Sequence, residues 1–546
     1  MTAPTQPFLA AYITMFQAAG SSLSFRYGWA STPWAALDLT APRTEETAKL
    51  YASDAGYRTR ASDPDGVIAY PPALVGTLAI DRQLALDPSQ TAAGWGWGTL
   101  AFANDDDAYS SLLSTWTVDG RAVEVRYGEK TYDATRGIFV DPAIADTKVA
   151  FSGIAESWSL TVNQLQIPIR DASYWLERPI QSQTYLGTGT YEGGANLTGK
   201  AKPILRGACL NILPVLIDPT NRIYQVNNGY ASINALYEGG ATTITFQADT
   251  SNLYSGSTTS GQYRTDVSRG LFQLGSAPVR TITCDATGRF PTAGAKSVAA
   301  DIAYYLLTED LALPTANIAG STFTSAATDY PYAAGTYFAP DDNPSGVAAV
   351  SRLLSAFGAK LIPTRAGTLS LIVLRAIASG TTPTRAYTAD DIVSLVPTAL
   401  PAALTPPPYR IRVAYQHNYT VQTSDLSASV TAAQREFVQS ADRFAAASSG
   451  TVSLAYARPS DPAPFGGALT SQTDAQAVAD AVLALFATRR RLFDMTVPVS
   501  VGIDNDIGDV IQITYPLDNM SAGQLGRIVG EQFRPNGSTI TFRVLV

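Results

Sequence analysis

Histidine occurs once, at His417, and cysteine twice, at Cys209 and Cys284. With so few soft ligands, a Cys/His metal centre cannot be assembled, and two distant cysteines outside any CxxC pair read as reduced, mostly buried thiols. Basic residues are outnumbered, 38 Lys and Arg against 46 Asp and Glu, for a formal charge of −8. That balance argues against a protein built to grip phosphates. Long apolar runs are also missing: residues 1–16 have no basic flank, and no later segment reaches membrane length. The expectation is a soluble protein without a membrane span. Charged residues make up only 15% of the chain, too few for long solvated helices.

The residues that are abundant point to strands and turns. Gly (42), Pro (33) and Tyr (27) are frequent, and 46% of the chain is apolar, enough to bury a core. At 546 residues the chain needs three to five domains. The predicted fold class is multidomain and mainly β, with β-barrel or sandwich domains and a small α+β domain. The expected boundaries are an arm or edge segment (1–74), a β-rich domain (75–180), a β-rich domain with long loops (181–290), a small α+β domain (291–396), a proline-rich linker (397–408), and a helix with a barrel-like end (409–546).

Several local patterns support this division. Within 1–74, residues 8–16 are apolar, and Arg26, Trp29 and Trp34 follow in a Ser/Thr/Pro-rich setting. Residues 94–98 read as a tight aromatic turn, with Trp95 and Trp97 on one side beneath the turn at Asp119-Gly120. That turn leads into a strand with Val123, Val125 and Tyr127 on one face, predicting a hairpin there. Leu165, Ile167 and Ile169 alternate with Gln164, Gln166 and Arg170. Residues 296–307 and 345–357 carry helical spacing, the second closed by Gly358. Five prolines fall in residues 397–408, read as an extended linker. Thr473 and Gln476 suggest a capping box for the longest helix, which ends in Arg489, Arg490 and Arg491, cations suited to a helix C-terminus. Asn536-Gly537 suits a type I′ turn before alternating Ile540, Phe542 and Val544.

Candidates for chemistry are sparse. Glu156, Asp171 and Glu192 lie near aromatics that could stack on sugars, but a glycosidase needs a defined separation of two carboxylates. The Asn104-Asp105-Asp106-Asp107 cluster suits a helix N-terminus, and it lacks the spacing of a calcium loop. His417 has no nucleophile motif to serve. No catalytic, cofactor-binding or metal-ligating set is assigned.

The order of motifs is more specific than any one of them. F-x-G-x-x-E-x-W from Phe151 is followed by P-I-R-D at Pro168, E-G-G at Glu192, K-P-I-L-R-G at Lys202 and I-Y-Q-V-x-x-G at Ile223. Together with GWGWGTLAFANDDDAYSSLLSTWTVDGRAVEVRYG upstream, this resembles tail-tip (baseplate hub) proteins of long-tailed bacteriophages and gene transfer agents, from about residue 75 onward. The resemblance implies a virion protein that forms a homotrimer at the end of the tail tube. It would join the distal tail protein to receptor-binding or tail-fibre proteins, meet the tape-measure protein, and surround a channel through which genome DNA passes without specific binding. Some relatives of that kind resemble iron–sulfur proteins with several cysteines. This chain departs from that pattern, so no cofactor is carried over. The alternative is a virion-associated glycan-binding or cell-wall-degrading protein.

Overall fold

The computed structural model describes residues 4–18, 45–75, 78–88, 90, 94–105, 107, 109–534 and 538–546. It is mostly β, with 39% strand and 18% helix, and its larger sheets curl into half-barrels. The Asn536-Gly537 turn, Arg26, Trp29, Trp34, Asp106 and the Trp95 side chain lie outside what is described.

The first curled sheet runs Ser159–Leu160, Gln164–Arg170, Lys148–Ala155, Ala122–Asp133, Thr5–Ala18 and Glu45–Ser53, with Thr99–Ala103 on Gln164–Arg170. Residues 71–75 bridge its free edges. Ser53 N donates to Pro71 O (2.8 Å) and Leu74 N to Ser53 O (2.9 Å), while Val75 N donates to Ala101 O and Ala103 N to Ala73 O. The expected N-terminal arm or edge is thus a central strand, Thr5–Ala18, paired on both sides. Leu9, Ala11, Ile13 and Met15 face the main core, while Phe8 and Ala10 pack outward under Tyr57 and Tyr70. A strand buried on both faces reads as a continuous apolar run, which hides its period. Phe8 pairs with Gly128, where a Cβ would lie 2.5 Å from the Phe8 ring, so glycine makes the room.

The expected hairpin across Asp119-Gly120 is not formed. Strand Ala122–Asp133 instead pairs with Thr5–Ala18 and Lys148–Ala155, and its local hairpin partner is Ile138–Val140. Gly120 does take a left-handed turn (φ +68°), but the ring beside it is Trp175 and not Trp97.

The second curled sheet runs Arg385–Tyr387, Val510–Ile513, Gln524–Arg534, Thr539–Leu545, Leu492–Pro498 and Ser394–Thr398. Two strands from the other end of the chain complete it: Ile80–Gln83 pairs with Gln524–Arg534, and Gly94–Gly96 with Ile80–Gln83. The segment expected as one domain from 75 to 180 therefore supplies strands to both sheets, crossing over near Trp97 and Gly98. One hydrophobic core extends from Leu9 to Leu545 through both.

Between them in sequence lie smaller modules. Ala231–Glu238, Ile282–Gly288, Ile204–Ile212 and Gly335–Phe338 form one sheet with its own core around Cys209 and Cys284. A five-stranded sheet from Val215–Asp218 to Thr245–Asp249 adjoins it. Helices Ala299–Tyr305, Gly320–Asp329 and Gly346–Ser355 pack with the hairpin Ala359–Pro363/Leu369–Val373 and join the main core. Helix Gln472–Phe486 crosses the sheet of Arg443–Ser448, Arg410–Tyr415 and Phe465–Leu469. The proline-rich stretch is no free linker: Pro397 and Thr398 pair with Leu492–Pro498, and Leu404 is buried. None of the described helices is long and apolar enough to cross a membrane.

Candidate functional site

A knot of four charges ties strand Ile80–Gln83 and the hairpin turn at Arg365 to the second curled sheet. Arg82 follows Ile80 by two residues on its strand, so it points to the same inner side, and it is fully buried. Its cross-strand partner is Glu531, two residues before the inward Phe533. Arg82 Nη2 donates to Glu531 Oε2 and, at 2.6 Å, to Asp506 Oδ1, while Nη1 donates to Pro363 O at 2.8 Å. Arg365, from the turn of the α+β hairpin, closes the set. Its Nε donates to Glu531 Oε1 at 2.8 Å, its Nη2 to Asn505 O at 2.5 Å and its Nη1 to Ile503 O. Two cations and two anions balance, as the burial of Arg82, Arg365 and Glu531 requires, while the Asp506 side chain stays 32% exposed.

The electrostatics follow from that packing. Burial alone would lower the Arg82 pKa, but Asp506 and Glu531 outweigh it and hold the guanidinium firmly charged. Burial alone would raise Asp506, and Arg82 and Arg365 overturn this, keeping its carboxyl below the usual range. Trp97 links the knot to the first sheet. Its ring lies 4.8 Å from Phe151 and 5.4 Å from the Arg82 guanidinium, and its indole Nε1 donates to Asp171. The backbone joins there too, with Ser152 N donating to Arg365 O at 2.8 Å.

The candidate carboxylates each have a hydrogen-bond or ion-pair partner of their own. Asp171 is fully buried, accepting from Ser173 N at 2.6 Å as well as from Trp97. Glu156 pairs with Arg170 at 3.3 Å, and Glu192 with Lys202 at 2.7 Å. Each is held by a structural partner. His417 bonds Asp442 at 2.8 Å and meets the Tyr419 ring edge-on. Cys209 and Cys284 are free and buried, and burial pushes the Cys209 thiol up to about 12. The described residues of the acidic cluster cap no helix: the single turn Leu112–Thr115 has Ser111 as N-cap and no side-chain cap bond. Among the described residues no group of three His, Cys, Asp or Glu could hold a metal.

One expectation shifts in register, and another agrees with the structure. Helix Gln472–Phe486 is capped by Ser471, whose Oγ accepts from Asp474 N, so Thr473 and Gln476 form no capping box there. The capping box is at Thr431 and Gln434. Of the three arginines after that long helix, Arg490 donates to Leu485 O at 2.7 Å, meeting a free C-terminal carbonyl, and Arg491 donates to Asp518 O at 2.7 Å.

The K-P-I-L-R-G and I-Y-Q-V-x-x-G motifs meet in a second polar centre. Arg206 makes a two-pronged pair with Asp310 (3.0 and 2.6 Å) and also reaches Arg289 O and Asn227 Oδ1. Gln225 accepts from Tyr185 OH at 2.5 Å. Gly207 is left-handed (φ +72°), and a Cβ there would lie 2.4 Å from Ala334 O, so this glycine permits the close approach of strand Gly335–Phe338. Both motifs are structural. Sequence reasoning missed Arg82, Arg365, Asp506 and Glu531; the signal available was a charge at an inward strand position, once of each sign.

No protein-family model matches the chain, and no curated protein does. Among solved structures the chain is similar to the tail protein from Neisseria meningitidis MC58, at 10% identity and TM-score 0.34, covering 90% of this chain and 96% of that one. It is also similar to the 43 kDa tail protein of prophage MuSo2 from Shewanella oneidensis, at 9% identity and TM-score 0.33, covering 88% and 95%. A third similarity is to a chain in the virion of a native gene transfer agent particle, at 14% identity and TM-score 0.35, covering 64% and 84%. The structural neighbours are thus phage tail proteins and a gene transfer agent virion.

Proposed function

We propose that this chain is a structural protein of a phage-type tail, and that its place is the hub at the tail tip. There it links the tail tube and distal tail ring to the host-contacting parts and surrounds the DNA channel. The observation that carries the reading is the joining of two curled sheets over one core, with strands Ile80–Gln83 and Gly94–Gly96 passing from the N-terminal third into the second sheet and Trp97 seated between Arg82 and Phe151 of the first. Three copies of a rigid two-barrel frame offer six similar units to a six-fold tube, which only works if the barrels keep a fixed mutual orientation. The motif order supports the same reading. Glu156, Asp171 and Glu192, each tied to a structural partner, support a non-enzymatic role. A channel that passes DNA quickly needs an inner face that does not hold phosphates, and the −8 balance suits that. Native mass spectrometry of the assembled tail tip should show three copies of this chain. Six copies, or a single one, would overturn the assignment.

A further inference from the structure

A cleft separates the sheet around Cys209 from the three-stranded module that follows the proline-rich stretch. One wall is the end of strand Ile204–Ile212 with its sheet neighbours Tyr237 and Asp285; the other is helix Ala432–Gln439 with Arg443 and Gln416. Its volume is about 360 Å³, within the range of small-molecule sites, which favour such module boundaries.

The cleft has a built floor. Asn211 Nδ2 donates to Asn418 Oδ1 and Thr420 O, both at 2.7 Å, and Asn418 Nδ2 donates in turn to Val438 O at 3.0 Å. Asn211 is 1% exposed, yet its Oδ1 has no partner in the protein. Asn211 (φ +50°) and Gln416 (φ +48°), one on each wall, are both left-handed without being glycine. Such backbone outliers concentrate where geometry serves a site.

The walls offer both signs of polar group beside aromatic faces. Asp285 accepts from Asn211 N (2.8 Å) and Tyr237 OH (2.7 Å), which leaves a carboxylate further lone pairs. Burial holds its pKa above the ordinary value against those two bonds. Arg443 lies over the Phe437 ring at 4.1 Å and has no carboxylate within ion-pair distance among the described residues. An apolar ligand would strip water from these groups without replacing its bonds, and an inorganic anion would meet Asp285. A neutral ring with an apolar face and hydroxyl edges satisfies both.

We propose that this cleft binds a neutral saccharide unit, its ring against Tyr237 and Phe437 and its hydroxyls bonded to Asp285 and Arg443. The proposal stands apart from the hub reading, and its test uses the full-length chain in solution, whatever ring it forms. The probes are neutral mono- to trisaccharides of glucose, galactose, mannose and N-acetylglucosamine, followed by saturation-transfer NMR and calorimetry. At least one should bind with Kd on the order of 1 mM or tighter. Arg443→Ala should weaken it about tenfold or more. Ala433→Trp, at an exposed position on the cleft wall, should abolish it with thermal stability unchanged, and it carries the test should Arg443→Ala not fold. The proposal is overturned if no sugar binds at about 10 mM, if binding survives Ala433→Trp, or if free glutamate binds there in place of every sugar, which would assign Asp285 and Arg443 to a zwitterion.

Discussion

Arg82 and Arg206 are both buried guanidiniums in hydrogen bonds with an aspartate, but their aspartates respond in opposite directions. At the barrel junction Asp506, its side chain 32% exposed, faces two cations, Arg82 and Arg365, and its carboxyl falls below the ordinary range. In the middle module Asp310 faces Arg206 alone and is 7% exposed; burial prevails and its carboxyl rises. At Asp506 two cations and the Ile507 amide, at 2.7 Å, stand against desolvation, whereas at Asp310 one cation stands against burial and the neighbouring Glu309. The difference also marks two jobs. The junction knot joins residues 424 and 449 positions apart and staples strand Ile80–Gln83, from the N-terminal third, into the second sheet. The Arg206 pair braces strand Ile204–Ile212 against the turn that ends at Asp310.

The comparison can be broken most forcefully at Arg82. Arg82→Met leaves Glu531, which is fully buried, with Arg365 as its one cation and removes a direct cross-strand pair. Breaking a buried pair from one side costs roughly 3–5 kcal/mol. Urea unfolding should show a loss of that size; a cost below about 1 kcal/mol, the scale of an exposed pair, would mean the knot holds nothing together. Arg206→Lys is the milder counterpart. It keeps the charge and loses the two-pronged geometry on Asp310, along with bonds to Arg289 O and Asn227. The expected loss is about 1.5–3 kcal/mol. If Arg206→Lys proved the costlier of the two, the ranking of staple over brace would be reversed.

How much of this could be read in advance depended on how local the determinants were. Helix Gly346–Ser355 was legible because its cap, its apolar spacing and its closing Gly358 lie within fourteen residues. The apolar stripe of helix Gln472–Phe486 was legible too: Val478, Val482, Leu485 and Phe486 are all buried. Its start was misplaced because Ser471 and Thr473 are equally good cap residues, and Asp474 Oδ2 is drawn away to Ala333 N at 2.9 Å. Strand Thr5–Ala18 was opaque because both its faces are covered. The knot was opaque for a different reason, since its four residues come from four separate parts of the chain. The structural role of Arg206 and Gln225 was suggested by motif order alone. The cleft beside Asp285 lay wholly beyond sequence, because Asn211 and Asn418, which meet beneath it, lie 207 positions apart.

The smallest effect expected is also the one that tests the two opposite shifts directly. An unfolded aspartate titrates near about 3.9. Asp506 has a folded pKa below that value, so the stability it contributes is fully present above it and is lost as pH falls through the folded pKa. Asp310 has a folded pKa above it, so the folded state keeps its proton longer than the unfolded chain. Its burial therefore costs nothing at low pH, and stability declines as pH rises from the unfolded value through the folded one. The two groups pull the stability curve in opposite senses on either side of about pH 4. Unfolding free energy measured from about pH 2.5 to 6 should lose part of its rise below pH 4 in Asp506→Asn, and part of its decline above pH 4 in Asp310→Asn. Slopes are compared and not absolute stabilities, because either substitution also weakens an arginine's partner. If both variants flattened the same side of the curve, the two carboxyls would not be shifted in opposite directions, and the contrast between the two centres would fail.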